Sequence, residues 1–149
     1  MLDALPQIPL FEDLNGDQVS LLRSLFEPVN YPSGAIIIAQ GAVALHLYLT
    51  LKGIVAIHYK PYDGPSLILT RLRAGDAFGW SAMMGSRFYT STIISEAEVD
   101  AIRIKRSQIL ELIQNYPALG ALVLDRLARS VSPRWENAHE QAEVLLNSR

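Results

Sequence analysis

Gly75-Asp76-Ala77-Phe78-Gly79-Trp80-Ser81-Ala82-Met83-Met84, with Tyr89-Thr90-Ser91-Thr92 shortly after, is the stretch of this chain whose residue types and spacing could do chemistry. It reads as a strand end, a Gly turn, one helical turn, a short loop and a new strand. A helix start leaves its first backbone N–H groups without partners inside the helix, and the aligned peptide dipoles add partial positive charge there. The stretch is therefore expected to build a small pocket for an anion or a polar ligand. Phe78, Gly79, Trp80, Ser81, Ala82, Tyr89, Thr90 and Ser91 are its candidate residues, and Arg87 sits two positions before Tyr89, on the same face if both lie on a strand.

Other chemistries find no comparable constellation. His46, His58 and His139 lie far apart and lack the i, i+4 spacing of a metal pair, so no metal site is expected. Glu136, Glu140 and Glu143 beside Arg134 read as a solvated helix face. Ser81 follows Gly79-Trp80 but lacks the second glycine of a nucleophile elbow, and no catalytic residue is assigned. The absence of cysteine excludes disulfides, thiol nucleophiles and thiolate metal sites.

The elements that must hold the pocket follow from periodicity. Apolar side chains at Val19, Leu21, Leu22, Leu25 and Phe26 predict a helix after an Asn15 N-cap, closed by Pro28 and Pro32. Short strand-like runs follow over Ala35–Gln40, Leu45–Thr50, Ile54–Tyr59, Ser66–Leu72, Tyr89–Ser95 and Val99–Ile104, separated by Gly-containing turns. Leu45, Leu47, Leu49 and Leu51 alternate with His46, Tyr48, Thr50 and Lys52, the pattern of a strand with one buried face. Helical periodicity returns over Ser107–Gln114, breaks at Asn115-Tyr116-Pro117, and continues from Pro117 to about Leu146. Leu124, Leu127, Val131, Trp135, Ala138, Ala142 and Leu145 form one stripe there, and Pro133 is expected to kink it or to start a new helix behind Ser132.

With 149 residues, half of them apolar, the chain is expected to fold as one domain, 1–149. Within it, 1–32 form an N-terminal helical segment, 33–105 a β-roll, and 106–149 C-terminal helices that dimerise. The formal charge of -2 and the lack of any Lys/Arg run of five or more argue against direct nucleic-acid binding. The N-terminus lacks a basic region followed by an apolar run, and no segment reaches the ~18 apolar residues of a membrane span. A cytoplasmic location without membrane contact is expected.

Further pieces align with one family. Pro9-Leu10-Phe11-Glu12-Asp13-Leu14 stands near the start; Tyr31-Pro32-Ser33-Gly34-Ala35-Ile36-Ile37 with Gln40-Gly41, then Leu47-Tyr48-Leu49 with Lys52-Gly53-Ile54-Val55, follow at regular spacing. Leu72-Arg73-Ala74-Gly75-Asp76-Ala77-Phe78-Gly79 then leads into the candidate pocket. In this order the pieces resemble the cyclic nucleotide-binding domain of the Crp-Fnr and catabolite activator superfamily. The resemblance implies a mainly β fold with flanking helices, a jelly-roll-like β-roll with a long C-terminal helix, and a phosphate-binding cassette at the pocket.

Two cassette side chains depart from that family. The Glu that holds the ribose 2′-hydroxyl stands here as Trp80, and the Arg that pairs with the cyclic phosphate stands as Tyr89. The family's closing helix would bring Arg134 and Trp135 over the pocket as a lid. Charge-assisted hydrogen bonds contribute about 1.5–3 kcal/mol each, so losing both weakens cyclic nucleotide binding by about 10²–10⁴-fold. The expected pocket is flatter and more apolar, with a cyclic nucleotide or another small ligand as possible occupant and no resident cofactor. Three readings stay open: a dimeric small-molecule sensing or regulatory domain acting on an unknown protein partner, a ligand-independent dimeric interaction scaffold, and a Crp-Fnr-type transcription regulator lacking its helix-turn-helix.

Overall fold

The computed structural model describes residues 8–82 and 87–131. A 3-10 turn, Pro9–Phe11, precedes helix α1 (Gly16–Leu25). Asn15 caps α1 as expected: its side chain accepts the Gln18 N–H at 2.8 Å, and the Gln18 side chain accepts the Asn15 N–H at 3.0 Å. Leu22 carries the helix's contact into the core.

Strand β1 (Glu27–Tyr31) follows at once, where the sequence reading placed the end of a helical segment. Pro28 ends α1 yet does not prevent the strand, because β1 is the outermost strand of its sheet and needs no N–H on its free side. The remaining strands are β2 (Ile36–Ile38), β3 (His46–Lys52), β4 (Val55–Tyr59), β5 (Leu67–Leu72), β6 (Ala77–Phe78), β7 (Thr92–Ser95) and β8 (Val99–Lys105). They form two four-stranded sheets, ordered β1-β8-β3-β6 and β2-β7-β4-β5, with every adjacent pair antiparallel. The fold is the mainly β roll with flanking helices that the resemblance implies.

Strand β3 corrects the expectation of one buried face. Leu47 and Leu49 pack against the helices, Tyr48 faces the second sheet, and Thr50 is fully buried as well. The strand is central in its sheet and covered on both sides, so its polar alternates are buried too. Leu45 departs in the opposite sense: it precedes the strand and is exposed.

Helices α2 (Arg106–Asn115) and α3 (Pro117–Arg129) meet at Tyr116, with Pro117 at the first helical position. Ile109, Leu112, Leu119, Val123 and Leu127 join Phe11, Leu22, Leu47, Leu49, Ile102 and Ile104 in one core beneath the first sheet. Arg126 ties α3 to the N-terminal turn by donating to the Leu10 and Glu12 carbonyls at 3.1 and 2.6 Å.

The helix expected to run on from Pro117 stops at Arg129, ahead of Pro133. The Ala77 N–H captures the Ser130 carbonyl at 2.7 Å, and Val131 forms a parallel bridge with Ala77. The β6 backbone thereby supplies a partner that a further helical turn would have supplied. Leu127 and Val131 are buried in the domain's own core, so this part of the stripe is already covered. Trp135, Ala138, Ala142 and Leu145 lie outside the described residues.

Gly120 sets the spacing of the helix pair. A Cβ there would lie 2.6 Å from the Ile113 Cα and 2.8 Å from its nitrogen, well inside contact distance. Gly120→Ala gains about 1 kcal/mol of helix propensity, but overpacking against backbone costs about 1–3 kcal/mol, so the net change is expected to be destabilising. Urea denaturation measures it; a raised midpoint would show that α2 and α3 part without cost.

Candidate functional site

The cassette begins on a turn anchored to β3. The Asp76 carboxylate accepts the Arg73 N–H at 2.9 Å, the Gly75 N–H donates to the Thr50 carbonyl at 2.8 Å, and the Thr50 N–H donates to the Asp76 carbonyl at 3.0 Å. Asp76 is thus held by local turn geometry. Strand β6 then pairs with β3, setting Phe78 opposite Tyr48, with their rings stacked 4.9 Å apart and 5° from parallel.

Gly79 follows with φ +83°, a conformation that favours glycine, and a Cβ there would sit 2.9 Å from the His46 carbonyl oxygen. The glycine therefore permits both the turn and the close approach to β3. The expected helical turn is a three-residue 3-10 turn, Trp80–Ala82, closed by the Ala82 N–H donating to the Gly79 carbonyl at 3.1 Å. A three-residue turn carries little macrodipole of its own.

Beyond residue 86 the chain pairs with the segment before β3. The Ala44 N–H donates to the Arg87 carbonyl, Val43 bridges Phe88, and the Tyr89 N–H donates to the Ala42 carbonyl at 2.8 Å. Tyr89 turns inward and is buried. Its hydroxyl donates to the His46 carbonyl at 2.6 Å and accepts the His46 N–H at 3.0 Å. Burial raises the pKa of this phenol, in keeping with a group that keeps its proton and donates it. Burial, followed by the Arg103 charge, lowers the pKa of the His46 imidazole on the same strand.

A pocket opens between the two sheets, lined by Ile38, Ile57, Phe78, Trp80, Ile93 and Val131 as its large apolar walls. Ala77, Gly79, Tyr89, Thr90 and Ser91 complete the lining, so none of the lining residues carries a charge. The Ser91 hydroxyl is buried and has no hydrogen-bond partner among the described residues. Thr92 is committed elsewhere, its hydroxyl accepting the Gln40 N–H at 2.9 Å. The central space is about 20 Å³, room for a water molecule.

The sequence candidates separate accordingly. Phe78, Gly79, Trp80, Tyr89, Thr90 and Ser91 converge on the pocket. Ser81 lies in the 3-10 turn, Ala82 is buried behind the lining, and Arg87 is exposed and outside it. Arg134 and Trp135 lie outside the described residues. Ile38, Ile57, Ala77, Ile93 and Val131 are lining residues that motif reading missed. Strand alternation signals Ile93, two positions after Ser91, and through it Ile57, its partner in register. Nothing local in the sequence signals Val131.

Residues 28–116 match the cyclic nucleotide-binding domain family. The chain is 26% identical to a CRP-like cAMP-activated global transcriptional regulator of Mycobacterium tuberculosis, over 87% of this chain and 58% of that protein. It is 27% identical to the catabolite activator protein of Thermus thermophilus, whose crystal structure aligns with a TM-score of 0.70 over 92% of this chain and 62% of that one. A cyclic nucleotide-binding domain from Methylobacillus flagellatus, 22% identical, aligns with a TM-score of 0.76 over 94% of this chain and 79% of that one. The chain thus spans about three-fifths of the length of the two regulators. With the family's domain matched over more than half of the chain, and the roll in place, this protein belongs to the cyclic nucleotide-binding domain family of the Crp-Fnr superfamily.

Proposed function

We propose that the chain is a small-molecule sensing domain whose pocket takes a flat, nucleotide-like ligand of low charge, that ordinary cAMP and cGMP bind it weakly, and that it works as a cytoplasmic homodimer. The Ser91 hydroxyl carries this reading: buried and unpartnered, it faces an apolar pocket built from the family's cassette. An orphaned buried hydroxyl costs about 1–3 kcal/mol, which a ligand atom bonded to it recovers. The ligand class is inferred from the family, whose Mycobacterium tuberculosis member is cAMP-activated. The expectation of low charge rests on Trp80 and Tyr89 and on a lining without Lys, Arg or His.

A specific observation favours the second reading, a ligand-independent scaffold. Ligand sites occupy about 300–1,000 Å³, and the space between the sheets, about 20 Å³, is far smaller. Ligand entry therefore requires Trp80 and the Val131 segment to shift outward. Dimerisation is supported by the apolar stripe beyond Val131, from Trp135 to Leu145, because the part of the stripe before it is already used inside the domain.

Native mass spectrometry of chain purified without added nucleotide is expected to show one co-purified small molecule per protomer, released in Ser91→Val. Bare protein, with the Trp80 emission of a Trp135→Phe variant indifferent to every nucleoside and nucleotide tested, would make the scaffold the correct reading.

Calorimetry tests the two replaced side chains. Trp80→Glu with Tyr89→Arg is expected to raise cAMP affinity by about 10²–10⁴-fold over the unsubstituted chain. Each change alone should do little, because one leaves the ribose unread and the other leaves the phosphate unpaired. The Tyr89 change also removes both hydroxyl bonds to His46, so the variant should melt lower, as should Tyr89→Phe, by about 1–3 kcal/mol. A cooperatively folded double variant without the gain would show that the cassette backbone does not present its N–H groups to a phosphate.

The homodimer is tested by sedimentation of the full chain beside Trp135→Asp. The variant is expected to fall to monomer mass; equal masses for the two would remove the C-terminal stripe as the interface.

A further inference from the structure

Four large apolar side chains stand exposed together where the segment before β3 meets the start of α2. Val43 is 58% exposed, Leu45 55%, Phe88 49% and Leu110 51%. Val43 and Phe88 are paired across an antiparallel bridge, which sets their side chains on one side. Val43 and Leu45 are two apart on extended chain and share that side, with buried Ala44 between them pointing inward. The Arg106 N–H donates to the Leu45 carbonyl at 3.1 Å and joins this segment to α2. A groove of about 270 Å³ separates Leu45 from Leu110, floored by Ala44, Ser107 and the stems of Lys105 and Arg106.

Lys105 and Arg106 line the groove, and Arg87 precedes Phe88 in sequence. Arg87, Lys105 and Arg106 are exposed, and none forms an ion pair among the described residues. Glu111, on the next turn of α2, is the acidic residue beside them in sequence. This concentration runs against the net charge of -2 of the whole chain. An apolar groove lined by two cations without ion-pair partners is the complement of a segment with apolar anchors between carboxylates.

We propose that Val43, Leu45, Phe88 and Leu110, with Arg87, Lys105 and Arg106 around them, form a docking surface for an acidic amphipathic segment of another protein. One apolar anchor of that segment seats in the groove between Leu45 and Leu110, and its carboxylates meet Arg106 and Lys105. A two-fold pairing of the surface with itself would set cations against cations, which argues against a second copy as its occupant. A concave groove suits an inserted side chain better than it suits a lipid surface. The proposal goes beyond the pocket and does not depend on its occupancy, so failure of ligand binding leaves it standing.

The test is selection of displayed random peptides on the full chain, followed by anisotropy with the enriched peptides made synthetically. Enriched sequences are expected to combine several Asp or Glu with Leu, Ile, Phe or Trp. Their affinity should fall about tenfold or more in Lys105→Glu with Arg106→Glu, and be lost in Leu45→Asp with Leu110→Asp. Tyr62→Asp, a change at a fully exposed site elsewhere, should leave binding unchanged. All substituted positions are exposed, and unchanged melting transitions confirm folded variants. No enrichment, enrichment without acidic residues, or binding that survives the two double variants overturns the proposal. It is equally overturned if the chain alone cosediments with phosphatidylglycerol vesicles through these residues, which marks a membrane surface, or if Leu45→Asp with Leu110→Asp changes the oligomeric mass, which marks a self-interface.

Discussion

His46 lends its main chain to two neighbours at once. Its N–H and carbonyl close on the Tyr89 hydroxyl, and the same carbonyl lies so near Gly79 that a side chain there would collide with it. The two halves of the cassette, 78–82 and 89–91, are thereby fixed to one residue of the central strand. A few hydrogen bonds of about 1 kcal/mol each suffice because the strand beneath them is buried on both faces and cannot yield. Pocket shape follows from this attachment more than from any bond within the cassette itself.

The far wall of the pocket is built differently. Val131 reaches it only because the Ala77 N–H holds the Ser130 carbonyl at the end of α3. One short strand, β6, thus touches the pocket on one side and Ser130 and Val131 on the other. A ligand that displaces Val131 must work against that bond, and it can bias the C-terminal segment only by as much as it prefers the displaced arrangement. Trp80, half-buried against the helical core, is the second element that such a shift would move.

Local chemistry made much of the fold legible. Asn15 announces its cap, and Pro117 announces a helix start. The runs from Ala35 to Ile104 show their strands because turn residues punctuate them. What stayed hidden depends on partners distant in sequence. Glu27–Tyr31 looks unlike a strand because Pro28 sits in it, and only its place at a sheet edge makes that harmless. Ala77–Phe78 is too short for any period to register. Thr50 and Tyr48 look like solvent-side alternates until a second layer covers them. In the site, Phe78, Gly79 and Trp80 were visible through the Gly turn, but Tyr89 reads only as a pocket residue, and its bond to a backbone 43 positions away appears only in three dimensions.

Among the described residues, strand β1 has a single neighbour, β8, in a register that sets Glu27 against Arg103 and Tyr31 against Val99. The chain that closes this sheet is therefore the last of the roll to be made. Ribosomes add about 5–20 residues per second, so β1 waits for several seconds with its apolar side uncovered and no strand to join. Antiparallel hairpins such as β4–β5 can form meanwhile, but the first sheet and the helices that pack on it assemble only afterwards, and such distant pairings are slow. Pro28, which blunts the strand's hydrogen-bonding edge, also makes that waiting strand a poorer template for other nascent chains.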